Sequence, residues 1–239
     1  MEILQRIVSG TESCAYLPGN AQRMERVWVK SLSLEEYQSY LLLGWRRFGR
    51  MLFRPVCRSC RECVSLRVDV ERFVPNRSQR RVRKLNEGET ALEIGEPTLT
   101  AENLALYDRY HAFQTIAKDW PWHWPSDEAS FRDSFLDNPF PILEFRYRIG
   151  ERLVGLGYVD SLPKGLSAIY FVHDPDFRDR SLGTWNVLAI IEQARRRGLP
   201  HAYLGYYVSE CGSLSYKRRF SPNQVLGMDG AWHDFDDGR

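Results

Sequence analysis

The chain has 239 residues and a mass of 28.0 kDa, enough for one large domain or two small ones. Twelve Phe, twelve Tyr and seven Trp exclude a disordered chain, and no apolar run approaches the ~18–20 residues that span a bilayer. The N-terminus lacks the basic and long apolar segments of a signal peptide. We therefore expect a cytoplasmic protein with reduced thiols and no membrane partner.

The net charge of +2 hides an uneven distribution of charge along the chain. Residues 1–90 hold 17 Lys/Arg and 10 Asp/Glu, a net of +7, whereas residues 91–239 hold 16 and 21, a net of −5. Residues 44–84 carry 13 basic and 3 acidic side chains. Aromatic residues are interleaved with these cations, which indicates a folded basic surface that suits a polyanion such as nucleic acid.

Local patterns predict secondary structure along most of the chain. Ser33 with Glu36 forms a capping box that starts a helix, and Gly44 ends it. Residues 1–20 are predicted to be rich in loops. The remaining predictions are strands at 27–31, 64–70, 143–149, 152–160, 166–172 and 201–207, an extended stretch at 45–55, and helices at 78–86, 101–117, 127–136, 181–197 and 210–219.

Residues 86–97 mark a change of composition, because Gly88, Gly95 and Pro97 cluster there and the charge balance reverses. We predict two domains, a basic one over residues 1–90 and a second over 91–239. Three successive strands followed by helix, strand and helix are typical of an α+β domain with a mixed sheet.

Four cysteines are candidate metal ligands. Cys57, Cys60 and Cys63 lie within seven residues, and Cys14 is a candidate fourth thiol. Such spacing is what zinc or an iron–sulfur cluster requires. Redox-sensitive free thiols, or small residues packed in a tight turn, are the alternative interpretations.

Motifs in the first half appear in a recognisable order. Cys-Ala-Tyr-Leu (14–17) is followed by Leu-Glu-Glu-Tyr (34–37) and Gly-Trp-Arg-Arg-Phe-Gly-Arg (44–50). Arg-Pro-x-Cys (54–57) and Asn-Arg-Ser-Gln-Arg-Arg (76–81) come next. Together they resemble the N-terminal domain of the aminoacyl-tRNA–protein transferases.

The second half resembles the C-terminal domain of the same family. The motifs are Val-Asp-Ser-Leu-Pro-x-Gly-Leu-Ser-Ala-x-Tyr-Phe (159–171), Asp-Pro (174–175), Ser-Leu-Gly-Thr (181–184), Tyr-Leu-Gly-Tyr-Tyr (203–207) and Cys-x4-Tyr-Lys-x2-Phe-x-Pro (211–222). The length and the Cys-x2-Cys-x2-Cys form resemble the bacterial aspartate/glutamate leucyltransferase branch. Ser213-Leu214 and the Trp-rich stretch 119–125 depart from the family pattern.

The resemblance implies a fold, a reaction and partners. The second domain would have an acetyltransferase-like (GNAT) fold, with leucyl-tRNA as the donor. The acceptor would be the N-terminal α-amine of a protein that begins with Asp or Glu, and the product would be an N-degron for proteolysis. No cofactor is required for this reaction. Eukaryotic relatives are linked to an iron–sulfur cluster through N-terminal cysteines, but this chain has Leu17 where their Cys-x-x-Cys pair would close.

Several residues in these motifs are candidates for roles in aminolysis of the ester. Tyr206 or Tyr207 would carry the proton, and Asp160 would orient the donor's amine together with Asp174. Ser181 and Gly183 open a helix whose backbone amides favour phosphate or an oxyanion. Cations would bind the acceptor carboxylate or tRNA phosphates, with the two roles left unassigned; the candidates are Arg46, Arg47, Arg80, Arg81, Lys217 and Arg218.

Three alternatives remain at this stage. An arginyl-tRNA donor with the same acceptors would need a buried carboxylate in the aminoacyl pocket. An acyl-CoA-dependent N-acetyltransferase would need a pyrophosphate loop, which is degraded here to Arg180-Ser-Leu-Gly-Thr-Trp185. A non-enzymatic, metal-containing nucleic-acid-binding regulator would leave the motifs of the second half unexplained.

Overall fold

A computed structural model describes residues 1–118, 120, 122–125 and 127–235. The strands in chain order are β1 Glu2–Val8, β2 Glu12–Ser13, β3 Ala21–Gln22, β4 Met24–Ser31, β5 Arg46–Phe48, β6 Met51–Pro55, β7 Val64–Asp69, β8 Thr90–Gly95, β9 Ile142–Ile149, β10 Arg152–Leu162, β11 Gly165–His173, β12 His201–Tyr207, β13 Asn223–Leu226 and β14 Trp232–Asp234.

The α-helices in chain order are α1 Leu34–Leu42, α2 Arg77–Asn86, α3 Ala101–Lys118, α4 Glu128–Phe131, α5 Leu182–Arg196 and α6 Gly212–Ser215. A π-helical segment, Arg132–Leu136, continues α4, and 3-10 turns occupy Pro175–Arg180 and Tyr216–Arg219. The predicted capping box at Ser33 and Glu36 is confirmed, with both of its hydrogen bonds present. None of the described helices is both long enough and apolar enough to cross a membrane.

The described residues form a large mixed sheet, a small antiparallel sheet of four strands and the antiparallel pair β2-β3. The small sheet has the order β1-β4-β6-β5. The large sheet has the order β14-β13-β7-β12-β11-β10-β9-β8. Within the described residues, β11 and β12 form its parallel pair, and the other neighbouring strands are antiparallel. Helix α5 supplies the crossover that a parallel pair requires.

Two apolar cores cover the two faces of the large sheet. On one face α5 packs against the sheet through residues such as Ile190 and Ile191. On the other face the core includes Tyr37 of α1, Val29 and Leu52 of the small sheet, and Leu106 of α3. The small sheet therefore sits on the face opposite α5.

For the first half of the chain, the structure corrects one prediction, that for residues 1–20, and leaves the division into domains untested. The prediction that residues 1–20 are rich in loops is wrong for Glu2–Val8, because this segment forms β1 and pairs with β4. Every residue of β1 is exposed, so its sequence lacks the alternation that identifies a half-buried strand. Strand β8 occupies the stretch 86–97, and β7 lies between β12 and β13 in the large sheet. The division into domains at residue 90 stays a prediction.

Candidate functional site

Strands β11 and β12 pair over only three residues and then part. Gly165, Leu166 and Ser167 face residues 201–203, and no pairing follows. Strand β12 has an irregularity between Tyr203 and Gly205, where Gly205 takes a φ of +80°. Beyond this irregularity β12 no longer pairs with β11. The end of the pairing leaves a gap between two parallel strands, a place where α/β proteins commonly bind ligands.

Arg46 bridges the two strands where this gap begins. Its guanidinium donates a 3.1 Å hydrogen bond to Ser167 Oγ and a second bond to the Ala168 carbonyl, both on β11. On the β12 side, a Cβ added to Gly205 would lie 3.5 Å from Arg46 Nε. Gly205 therefore lies beside the buried Arg46 side chain. Arg46 thus lies at the mouth of the gap, and its predicted role as an acceptor or tRNA cation stays a prediction.

Lys217 reaches the same part of β12 from the 3-10 turn Tyr216–Arg219. Its Nζ donates a 2.7 Å hydrogen bond to the Tyr206 carbonyl. Burial, reinforced by the positive charge of Arg46, lowers the pKa of Lys217 to about 7. An amine with this pKa is neutral in about half of the molecules at pH 7 and accepts a proton readily.

The tyrosines predicted to carry the proton are engaged elsewhere. The Tyr206 hydroxyl donates a 2.9 Å hydrogen bond to the Gly44 carbonyl, and burial raises its pKa well above its usual value. Tyr207 points to the opposite face, where its ring packs 5.1 Å from that of Phe235. A proton-carrying role for either tyrosine stays a prediction that these contacts do not favour.

Arg47 and Asp160 form an ion pair with both side chains fully buried. Arg47 also donates 2.7 Å hydrogen bonds to the Gly49 carbonyl and Asn138 Oδ1. Burial raises the pKa of Asp160, against the opposing effect of Arg47. This burial separates both residues from any ligand that enters from solvent, so their predicted substrate contacts gain no support.

The predicted donor-binding residues lie at the start of α5 and before it. Asp174 is buried and paired with Arg109 and Arg152, at 2.9 Å and 2.6 Å. Its charge is already satisfied, so it is poorly placed to orient an incoming amine. Ser181 adopts a left-handed conformation with φ of 52° and makes no capping bond through its side chain. Open space surrounds Gly183, so a ligand can approach the start of this helix.

The three remaining predicted cations are exposed. Arg80 and Arg81 lie on α2, and Arg218 lies on the 3-10 turn next to Lys217. The structure therefore divides the six candidate cations into a pair at or near the gap (Arg46 and Lys217), one buried in an ion pair (Arg47) and three on the surface.

The four candidate metal ligands and Tyr206 line one small cavity. The cysteines concerned are Cys14, Cys57, Cys60 and Cys63. Burial and the neighbouring thiols raise the pKa of Cys63 to about 12, so its thiol is protonated at neutral pH. Among the residues that the structure describes, no three His, Cys, Asp or Glu side chains are arranged as metal ligands. As placed, these thiols do not fit a zinc ion or an iron–sulfur cluster.

A cleft of about 500 Å³ opens beside the cysteines, and motif analysis did not predict it. Tyr206 forms part of its wall, so the cleft adjoins the residue whose carbonyl binds Lys217. Leu43, Val56 and Leu226 make its wall apolar, and the cations Arg54 and Arg61 line it. The cleft combines segments far apart in sequence, and no local pattern brings them together.

Sequence reasoning also missed a group of aromatic rings and histidines beside β11. His111 Nε2 lies 2.7 Å from the Tyr170 hydroxyl, and the His111 ring stacks on His123 at 4.9 Å. His123 Nε2 lies 2.8 Å from Asp108. Of the Trp-rich stretch 119–125, Asp119 and Pro121 lie outside the described residues.

Comparison with known proteins identifies the family. A family model described as "Arginine-tRNA-protein transferase, C terminus" matches residues 102–227, and its N-terminal counterpart matches residues 12–81. The chain belongs to the arginine-tRNA–protein transferase family. The resemblance inferred from the motifs is thereby confirmed, and this member of the family is a transferase.

Curated relatives of this family member carry a more specific name. A protein of Campylobacter jejuni strain 81-176 named aspartate/glutamate leucyltransferase is 37% identical over 218 residues, which are 90% of each chain. One of Aeromonas hydrophila with the same name is 36% identical over 98% of this chain and 96% of its own. Among solved structures, FemX matches with a TM-score of 0.51 at 9% identity, over 94% of this chain and 86% of FemX. That likeness concerns the fold alone.

Proposed function

We propose that this transferase moves leucine from leucyl-tRNA to the N-terminal α-amine of proteins that begin with Asp or Glu. The names of its relatives support the donor and the acceptors. The observation that best supports this reaction is the position of Lys217. Its amine lies at the gap between β11 and β12 and has a pKa of about 7. A mixed sheet with one parted parallel pair also supports an acetyltransferase-like fold. The product would carry a new N-terminal residue that marks it for degradation.

The step is aminolysis of an ester that is already activated. The acceptor's α-ammonium loses a proton to neutral Lys217, and the free amine attacks the ester carbonyl carbon. The C–N bond forms, the bond to the ribose oxygen breaks, and that oxygen takes up the second proton from nitrogen. An α-amine has a pKa of about 7.7–8.0, so transfer of its proton to Lys217 is close to balanced. Positioning of the two reactants supplies much of the rest of the rate.

The cleft beside Tyr206 is our candidate for the acceptor's first residue. Its apolar walls suit the methylene groups of Asp or Glu, and its cations suit the carboxylate. Arg54 is already paired with Glu25 at 2.8 Å. Arg61 is exposed and donates to the backbone carbonyls of Cys57 and Cys60, so it keeps donors for a ligand. These donors suit the carboxylate of either Asp or Glu, and we assign the acceptor carboxylate to Arg61.

The buried carboxylates favour leucine over arginine as the donor's amino acid. A guanidinium that enters a pocket needs an unpaired carboxylate, because burial of an isolated charge is costly. Each buried carboxylate in the described part of the chain is already paired with an arginine of the chain. The pairs are Glu25 with Arg6 and Arg54, Glu144 with Arg146, Asp160 with Arg47, and Asp174 with Arg109 and Arg152.

The test compares two donors on one acceptor. Purified protein is incubated with an Asp-initiated peptide and with either radiolabelled leucyl-tRNA or radiolabelled arginyl-tRNA. We expect label in the peptide from leucyl-tRNA only. Transfer of arginine would overturn the choice of donor, and transfer of neither would overturn the proposed function, provided that the preparation is folded by circular dichroism.

A further inference from the structure

Helix α2 carries a stripe of four cations that the site described above does not use. Arg77, Arg80, Arg81 and Lys84 follow the spacing i, i+3, i+4, i+7, so they share one face of the helix. All four are exposed. At 1.5 Å per residue, the stripe is about 10 Å long. We use "α2 stripe" for these four residues.

No acidic side chain neutralises the α2 stripe within the described residues. The carboxylates closest to α2 in sequence are taken by other arginines: Glu87 pairs with Arg83 at 2.5 Å, and Glu89 pairs with Arg180 at 2.6 Å. The first turn of α2 contains no acidic residue. The stripe is therefore a surface of uncompensated positive charge, which is most favourable opposite a polyanion.

The inner face of α2 is held rigidly at both ends. Gln79 is buried and donates a 3.0 Å hydrogen bond to the Arg219 carbonyl, in the same 3-10 turn as Lys217. At the other end, Asn86 is fully buried and donates a 2.9 Å hydrogen bond to the carbonyl of Arg180, one residue before Ser181. These bonds tie the helix to the turn that carries Lys217 and to the start of α5.

We propose that the α2 stripe binds the phosphate backbone of the donor tRNA beside its reactive 3′ end. This inference rests on the proposed function, which requires an aminoacyl-tRNA at Lys217. Three arginines and a lysine on one anchored helix fit regularly spaced phosphates, since each guanidinium can donate paired hydrogen bonds to one phosphate. An anionic membrane is the less suitable partner, because Leu85 is the one large apolar side chain that the described α2 exposes, too little to anchor the helix in a bilayer.

The structure thereby separates two roles that the motifs left joined. Arg80 and Arg81 bind tRNA as members of the α2 stripe. Arg77 and Lys84 also bind tRNA there, although the motifs did not indicate these two residues. The acceptor carboxylate lies elsewhere, in the cleft with Arg61. Loss of the α2 stripe should therefore raise KM for leucyl-tRNA and leave KM for the acceptor peptide unchanged.

The experiment compares two variants of equal net charge. One is Arg77→Gln/Arg80→Gln/Arg81→Gln/Lys84→Gln. The matched control removes four exposed cations outside α2, as Lys30→Gln/Arg132→Gln/Lys164→Gln/Arg197→Gln. Binding of deacylated leucine tRNA is measured from 50 to 300 mM salt, and steady-state transfer gives separate KM values for leucyl-tRNA and for an Asp-initiated peptide.

We expect the stripe variant to bind tRNA at least tenfold more weakly, with a salt slope smaller by about 3.6, since each of the four lost phosphate contacts removes about 0.9. KM for leucyl-tRNA should rise by a similar factor, with kcat and the peptide KM within twofold of wild type. The control should behave as wild type. If four substitutions prevent folding, Arg80→Gln/Arg81→Gln should show about half of the slope change.

Equal weakening in the stripe and control variants would overturn the proposal, because the effect would then be one of net charge. Unchanged tRNA binding in the stripe variant would overturn it too, and the proposed function would stand as long as wild type transfers leucine. Stripe-dependent binding to vesicles of anionic lipid, with unchanged tRNA binding, would assign the surface to a membrane instead. Absence of any transfer by the wild type would mark failure of the proposed function itself.

Discussion

Lys217 donates a 2.7 Å hydrogen bond from Nζ to the backbone carbonyl of Tyr206, where β12 has already parted from β11. The bond anchors an amine at the gap between two parallel strands. Burial and the nearby Arg46 keep its pKa near 7, so the neutral form is well populated under ordinary conditions.

Transfer should depend on the protonation state of Lys217. The active form is the neutral amine, so the single-turnover rate should rise with pH through about 7 and then level off. Lys217→Arg keeps the positive charge and cannot accept a proton at these pH values. We expect it to lower the rate about 100-fold and to remove the inflection near pH 7.

The measurement is a rapid-quench pH profile with saturating peptide for wild type and Lys217→Arg, from pH 5.5 to 8. Folding of the variant is checked by its unfolding midpoint. An unchanged inflection in the variant would show that another group, such as the acceptor's own amine, titrates there.

The acceptor assignment predicts a specific defect for Arg61. Loss of a charged hydrogen bond to a ligand costs about 1.5–3 kcal/mol, so Arg61→Gln should raise KM for an Asp-initiated peptide about 10- to 100-fold. KM for leucyl-tRNA should not change. Arg58→Gln is the matched control, because Arg58 lies on the same loop, is exposed and does not line the cleft. Equal KM values for the two variants would remove Arg61 from the acceptor site.

The Arg47–Asp160 pair should behave as part of the protein interior. Removal of one partner leaves the other charge buried and unpaired, which costs about 3–5 kcal/mol. We expect losses of this size in the free energy of unfolding for Arg47→Met and for Asp160→Asn, measured by urea titration. The double variant should lose much less than the sum of the two, since it leaves no unpaired charge. Additive losses would mean that the two side chains do not interact.

Gly49 connects β5, which carries Arg46 and Arg47, to β6 at a position where a side chain has no room. Its φ is +49°, and an added Cβ would lie 1.9 Å from the Asp133 carbonyl oxygen. The left-handed conformation and the clash together should make Gly49→Ala cost about 2–5 kcal/mol in unfolding free energy. Gly10→Ala is the control, because nothing lies within 4 Å of an added Cβ there. A similar midpoint of thermal unfolding for the two variants would contradict this account.

Elements with strong local signals were predictable from sequence. The capping box at Ser33 placed α1, the pattern His-Ala-Tyr-Leu-Gly-Tyr-Tyr placed β12, and Gly198 ended α5 as expected. Strands β1 and β8 were missed, because their residues join sheets through distant partners and not through local periodicity.

The site was only partly predictable for the same physical reason. The motifs indicated Lys217 and Arg46 as candidate cations. The environment of Arg46, however, depends on a strand more than 100 residues away in sequence. Arg46 and Arg47 are adjacent, and strand alternation sends them to different partners, Ser167 and Asp160. Sequence alone does not identify those partners. The cleft with Arg61 is likewise a product of tertiary packing.

Intact-mass analysis of peptide products gives the most direct test of leucine transfer to an N-terminal Asp or Glu. Peptides that differ only in their first residue (Asp, Glu or Ala) are incubated with the protein and leucyl-tRNA, beside an N-acetylated Asp peptide. We expect one added leucine residue on the Asp and Glu peptides and none on the other two. Equal addition to the Ala peptide, or addition to the acetylated one, would contradict it.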